Sequence, residues 1–194
     1  MYPITRSSAR RRAALLGLPL AAGLALVAVP AQATPAAQQV SAACPTGWGS
    51  LTKAAPATVT GHLTGVRAGR HACFDRLVVD LDARAPGYRI GYVPSVSMDG
   101  SGQPVPLRGG ARLAVVVIAP AYDDAGNATY RPANRRELAD VTGYSTFRQV
   151  AWAGSYEGQS TIGLGVRARL PFRAFTLADP DGGSRLVVDV AHRW

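Results

Sequence analysis

A five-residue segment, Arg-Leu-Val-Val-Asp, occurs twice in this chain, at residues 76–80 and again at 185–189. Each copy is a short apolar run bounded by opposite charges, and each reads as a strand. Around the first copy, period-two alternation puts Leu77, Val79 and Leu81 on one face and Arg76, Val78 and Asp80 on the other. Arg76 and Asp80 stand too far apart along an extended strand to pair, so both are expected to address neighbouring strands. The copies lie near the two ends of one candidate domain. They are expected either to pair with each other or to occupy equivalent positions in two halves.

The residues between them carry the same kind of signal. Strands are predicted at His62–Arg67, Phe74–Leu81, Tyr88–Val93, Ala111–Ile118, Phe147–Ala153, Thr161–Ala168, Phe172–Leu177 and Arg185–Val190. A short edge segment is expected at Val105–Leu107. Ala111–Ile118 is continuously apolar and reads as a central strand. Turn signals separate the runs: Pro86-Gly87, Asp99-Gly100, Gly126-Asn127 and Asp181-Gly182-Gly183. Residues 154–158 read as a hairpin connection. Gly163 and Gly165 remove the side chains from one strand face, which calls for a bulge or a close backbone approach. The one helical signal is a short turn at Arg135–Asp140. The expected fold is all-β, a two-sheet antiparallel sandwich or a partly closed barrel, with at most one short helix.

Residues 1–33 are read as an export signal rather than as fold. Arg6 and Arg10–Arg12 form a basic start, Ala13–Pro30 is apolar, and Ala31-Gln32-Ala33 fits a cleavage pattern. The paired arginines before Ala13-Ala14-Leu15 fit a twin-arginine route and equally an ordinary secretory one. Residues 34–43 are read as a flexible mature N-terminus, and 44–194 as a single domain. Removing the leader's four arginines from the whole-chain charge of +9 leaves +5. The remaining basic residues are scattered along the chain. A positive field outside the cell favours anionic wall polymers or lipid headgroups. Nucleic acid is not expected as a partner, because no recognition helix or finger spacing is present. The two cysteines, Cys44 and Cys73, are expected to form a disulfide in an exported chain.

No metal or cofactor constellation is read from three separated histidines and two cysteines. His71 and His192 could approach each other near Asp75 or Asp189, an arrangement read as a structural network before a catalytic one. Asp80 and Asp189 could serve as paired carboxylates for glycoside hydrolysis if they stood about 5–9.5 Å apart. The preferred roles of Asp75, Arg76, Asp80, Arg185, Asp189 and His192 are structural. Aromatic and arginine side chains interleave elsewhere, and a sugar or peptide surface uses both. Tyr88, Arg89, Tyr92, Arg148, Trp152, Tyr156 and Arg167 are therefore the ligand-binding candidates.

In combination, several motifs resemble the AMIN-like domain of exported actinobacterial proteins. They are Cys44 with Trp48-Gly49-Ser50-Leu51, Gly65-Val66-Arg67-Ala68-Gly69-Arg70-His71, Cys73-Phe74-Asp75-Arg76, Pro86-Gly87-Tyr88 and Tyr92-Val93. Gly158, Ile162-Gly163-Leu164-Gly165-Val166-Arg167, Pro171-Phe172-Arg173 and Arg185–His192 extend the resemblance over residues 44–192. That family is similar to the AMIN domain of cell-wall amidases and secretins. The resemblance implies a small β-sandwich that localises its protein through envelope contacts and is not itself catalytic. The expected function is thus a secreted, cell-envelope-associated domain that binds peptidoglycan or another anionic wall component. The alternatives are a small secreted hydrolase using paired aspartates and a structural or partner-binding β domain.

Overall fold

Alternating apolar residues must bury one face of a sheet against another layer, and the described residues do this with eleven strands. The computed structural model describes residues 44, 47–58, 60–84 and 87–194. The export segment 1–33 and the flexible arm 34–43 expected from the sequence lie outside the described residues. The strands are β1 (Lys53–Ala55), β2 (Leu63–Arg70), β3 (Phe74–Leu81), β4 (Gly87–Tyr92), β5 (Val96–Ser97) and β6 (Pro104–Val105). They continue with β7 (Ala111–Ile118), β8 (Phe147–Tyr156), β9 (Gln159–Val166), β10 (Phe172–Ala178) and β11 (Ser184–Ala191).

One antiparallel sheet has the order β1-β4-β7-β9-β8, the other β10-β11-β3-β2, and β5 pairs with β6. The two main sheets pack face to face and do not close into a barrel. Among the described residues there is no helix; residues 134–137 form only a turn, closed by Glu137 N donating to Asn134 O. The expected helical turn therefore gives way to a segment whose backbone bonds go to a strand edge instead.

The two Arg-Leu-Val-Val-Asp copies pair with each other. β3 and β11 run antiparallel with Arg76 opposite Asp189, Val78 opposite Val187 and Asp80 opposite Arg185. Leu77, Val79 and Leu81 face inward beside Leu186, Val188 and Val190. They meet Leu113, Val115 and Val117 of β7 and Ile162, Leu164 and Val166 of β9 in one continuous core. Each such side chain, fully buried, contributes about 1.5–3 kcal/mol of transfer free energy. β7 is central, as its unbroken apolar run requires.

A second, smaller core of Val96, Leu107, Ala151 and Ala153 covers the other face of the five-stranded sheet. It explains Gly163 and Gly165. A Cβ on Gly163 would stand 2.9 Å from Leu107 Cδ1, and one on Gly165 would overlap the Arg108 carbonyl oxygen. The segment 105–108 thus lies directly on the β9 backbone. β8 is the sheet edge, and residues 135–138 cover it: Trp152 N donates to Arg135 O at 2.7 Å and Leu138 N to Val150 O at 2.8 Å. Covering an edge in this way prevents it from pairing with another chain.

The N-terminal arm is held at several points. Cys44 and Cys73 form a disulfide across a sequence separation of 29. The Trp48 ring meets Phe74 edge-on at 5.7 Å, and Phe172 N donates to Gly49 O at 2.9 Å. β1 and β5 are not apparent from the sequence, because two or three residues carry no measurable alternation.

Candidate functional site

The second core and the strand-covering segment 134–138 leave a trough between them. Three adjoining concavities of about 830, 330 and 510 Å³ run along β8. The central and largest one has Leu107, Ala151 and Trp152 in its floor and Arg108, Arg135, Arg136 and Glu137 along its walls. Arg108 and Glu137 continue into a polar compartment with Asp140, Tyr144 and Arg148. Arg135 and Trp152 continue in the other direction, toward Tyr122, Tyr130, Arg131 and Asp99.

Buried Gln149 holds the two walls in register. Its Oε1 accepts from Arg108 N at 2.9 Å, and its Nε2 donates to Arg136 O at 2.9 Å. Arg108 is engaged further, with Nη1 2.6 Å from Glu137 Oε1 and Nη2 donating to Arg148 O at 2.9 Å. Its hydrogen bonds to Glu137 raise its already high pKa, which keeps it cationic. Arg135 and Arg136 differ: both are exposed and neither makes an ion pair among the described residues. Their backbones are fixed to the β8 edge while their guanidinium groups remain open. The floor is apolar and Trp152 is wedged edge-on against Tyr130, ring centroids 5.5 Å apart. At the far end, burial pushes the Asp99 carboxyl above the usual carboxylate range, although Thr161 Oγ1 donates to its Oδ1 at 3.0 Å.

Of the ligand-binding candidates from the sequence, Trp152 and Arg148 line this trough. The others lie elsewhere. The Tyr92 hydroxyl donates to Leu170 O at 2.8 Å and accepts from Leu170 N at 2.9 Å, and its ring packs on the core. The Tyr88 hydroxyl donates to Ala174 O at 3.2 Å. Arg89 is exposed on β4, Tyr156 is exposed beside the β8–β9 turn, and Arg167 donates to the His192 carbonyl. Arg148 itself donates to the carbonyls of Tyr144 and Phe147. The arginines open to a ligand in the trough, Arg135 and Arg136, were not among the sequence candidates. Their signal was the single Arg-Arg pair of the mature chain, lying in a polar connection.

The six residues expected to be structural fall into three groups. Asp75 is fully buried; its Oδ2 accepts from the backbone N–H groups of Thr146 and Phe147, and its Oδ1 lies 3.1 Å from His192 Nε2. His71 does not join them but stacks on Phe74 at 4.5 Å. Asp189, also fully buried, is gripped by Arg76 (Nε–Oδ1 2.6 Å) and by Arg173 (Nη2–Oδ2 2.8 Å). Those guanidinium groups lie against Phe74 and Phe175. Asp80 pairs with Arg67 of β2 at 2.8 Å, and Arg185 turns to Asp179 at 2.5 Å.

The glycosidase pair is not formed. Opposite Asp189 stands Arg76, four positions along β3 from Asp80. At about 3.3 Å per residue this separates the aspartates by roughly 13 Å, beyond either carboxylate spacing. Among the described residues no group of three His, Cys, Asp or Glu side chains is placed to hold a metal ion.

The family model for the AMIN-like domain matches residues 61–192. No match to the chain was found among curated proteins or solved structures. The matched span runs from just before β2 to the residue after β11, covering both main sheets save β1, and it includes both copies of the paired repeat, so the chain belongs to the AMIN-like domain family.

Proposed function

We propose that this chain is a non-catalytic envelope-associated domain that holds an anionic wall component, such as peptidoglycan, in the trough along β8. AMIN-like domains are in general cell-wall-associated binding domains. The observation that carries the reading is the pairing of an apolar floor with two unneutralised arginines, Arg135 and Arg136, whose backbones are tied to β8. A guanidinium grips a carboxylate or phosphate through two parallel hydrogen bonds, and a rigid backbone lowers the cost of aiming it. Leu107, Ala151 and the Trp152 edge offer contact area to the apolar parts of the same ligand. The disulfide supports an extracytoplasmic location, where such a bond persists.

The test is co-sedimentation of residues 34–194 with purified insoluble cell wall. Arg135→Gln and Arg136→Gln together should weaken binding about tenfold or more, since each removes a charge-assisted contact of about 1.5–3 kcal/mol. The melting temperature should stay within a few degrees, because only backbone atoms of these residues brace the fold. Undiminished binding by a folded double variant would overturn the reading.

A further inference from the structure

The strand directions gather at one end of this domain several cations that make no ion pair among the described residues. The β2–β3 connection, the β9–β10 connection, the start of β7 and the residues after β11 all lie at one end of the sandwich. That end carries Lys53, Arg70, Arg112, Arg167, Arg169 and Arg193, none ion-paired among the described residues. Several of these guanidinium groups are fixed by neutral partners: Arg70 donates to Gly143 O, Arg167 to His192 O and Arg169 to Ser50. They are positioned without being neutralised. The opposite end holds the residues after β3, the β8–β9 turn, the β10–β11 turn and the loop after β7. There stand Asp82, Asp123, Asp124, Glu157, Asp179 and Asp181, with Asp82 paired to His62, Asp179 paired to Arg185, and Arg84 exposed beside them. Asp75, the carboxylate at the basic end of β3, is fully buried and accepts from backbone N–H groups.

The basic end also carries apolar side chains that point into solvent. Trp194 is 67% exposed and Leu51 75%. Both are anchored near one arginine: Trp194 Nε1 donates to Arg169 O at 3.2 Å, while Arg169 Nε donates at 3.2 Å to the Oγ of Ser50, which precedes Leu51. The guanidinium of Arg169 in turn lies over the Tyr92 ring at 5.1 Å. An exposed indole and an exposed leucine at an end that carries several unpaired arginines fit a surface that is both anionic and penetrable. Aromatic rings settle at the headgroup level of a bilayer, and arginines nearby gain from anionic lipid. A wall glycan can stack on an indole, but an exposed leucine beside cations gains most from a layer that it can enter.

We propose that the basic end of the sandwich docks on an anionic lipid surface, with Trp194 and Leu51 entering the headgroup layer and the acidic end turned away. The docking face adjoins the polar compartment of the trough, where Arg70 donates to Gly143 O, while Arg135 and Arg136 lie farther along β8.

The experiment uses residues 34–194, which include every strand and both cores of the described residues, and the disulfide. Binding is read by co-sedimentation with vesicles of phosphatidylcholine containing about a third phosphatidylglycerol, and with vesicles of phosphatidylcholine alone. Binding should appear with the first and not the second, and should fall steeply as salt rises. Arg193→Gln should weaken it about fivefold, and Trp194→Ala combined with Leu51→Ser by at least as much. Trp194 fluorescence should shift to the blue on binding. Asp124→Lys and Glu157→Lys, at the far end, should leave the affinity unchanged or slightly higher. Arg135→Gln with Arg136→Gln should bind vesicles normally, which separates this proposal from the wall-binding one. Equal binding to neutral vesicles would overturn it. So would sedimentation with wall but not with vesicles, or undiminished vesicle binding by folded Arg193→Gln and Trp194→Ala/Leu51→Ser variants.

Discussion

Removing the Asp75 carboxylate tests how the two sheets are joined at the basic end. Asp75 begins β3 in one sheet, and its Oδ2 accepts from the N–H groups of Thr146 and Phe147, where β8 begins in the other. It is inaccessible to solvent. Asp75→Ala leaves two buried N–H donors with no acceptor, at about 1–3 kcal/mol each. The loss should be about 2–5 kcal/mol, the lower end applying where water enters the space left behind. Against a total stability of about 5–15 kcal/mol this is a large fraction. For a domain of this size each kcal/mol moves Tm by roughly 2–4 °C, so Tm should fall by roughly 5–15 °C. Asp75→Asn keeps an oxygen where Oδ2 stands and should cost about 1 kcal/mol, the difference between a charge-assisted and a neutral hydrogen bond. Urea denaturation followed by tryptophan fluorescence gives both numbers, with the slope checking that the unfolded state is unchanged. A loss under 1 kcal/mol for Asp75→Ala would refute the bracing role. So would an asparagine variant as damaged as the alanine one, since the acceptor geometry would then be irrelevant.

Four further outcomes follow from the geometry. Glu157 adopts φ 49° in the two-residue β8–β9 turn before Gly158, so Glu157→Asn should stabilise the domain by roughly 0.5–1 kcal/mol in the same denaturation assay. Gly165→Ala would drive a methyl group into the Arg108 carbonyl oxygen and should cost about 1–3 kcal/mol, with a fall in Tm. Replacing Cys44 and Cys73 by serine should cost about 3 kcal/mol, and reducing agent should then have no further effect on the melting curve. Asp99 has a folded-state pKa raised above its ordinary 3.8, so the unfolded chain ionises first. Stability should decline as pH rises from near 3.8 through the folded value and then level off; Asp99→Asn should remove that decline from the pH–stability profile.

The sandwich was legible because its long strands are alternating or continuously apolar runs separated by turn residues. Ala111–Ile118 is observed with the predicted limits, and Phe74–Leu81 likewise. Gly163 and Gly165 called for a bulge or a close backbone approach, and the 105–108 segment supplies the second. The candidate site was less legible. Tyr88 and Tyr92 read as ligand contacts because aromatic side chains do not declare which face they occupy; in the fold their hydroxyls meet backbone carbonyls. Arg70, Arg112, Arg167, Arg169 and Arg193 look scattered in one dimension. Their segregation depends on which way each strand runs, and antiparallel topology converts that scatter into a polarised molecule. The partners of Asp189 depended on register, since a shift by one residue would have turned Arg76 to the other face.

The self-pairing of the repeated segment also bears on how the chain must be handled while it folds. A sequence that lies antiparallel on its own copy with arginine opposite aspartate is complementary to that copy in any other molecule as well. β3 is made long before β11, so each newly made chain displays one half of a matched pair before the other half exists. Refolding at high concentration therefore offers strand exchange between molecules as a competitor to the internal match. The internal match has the advantage of tethering, an effective concentration in the millimolar range that dilution does not lower. Interlocked dimers should thus form on concentrated refolding and dissolve into monomers only after complete unfolding and dilution.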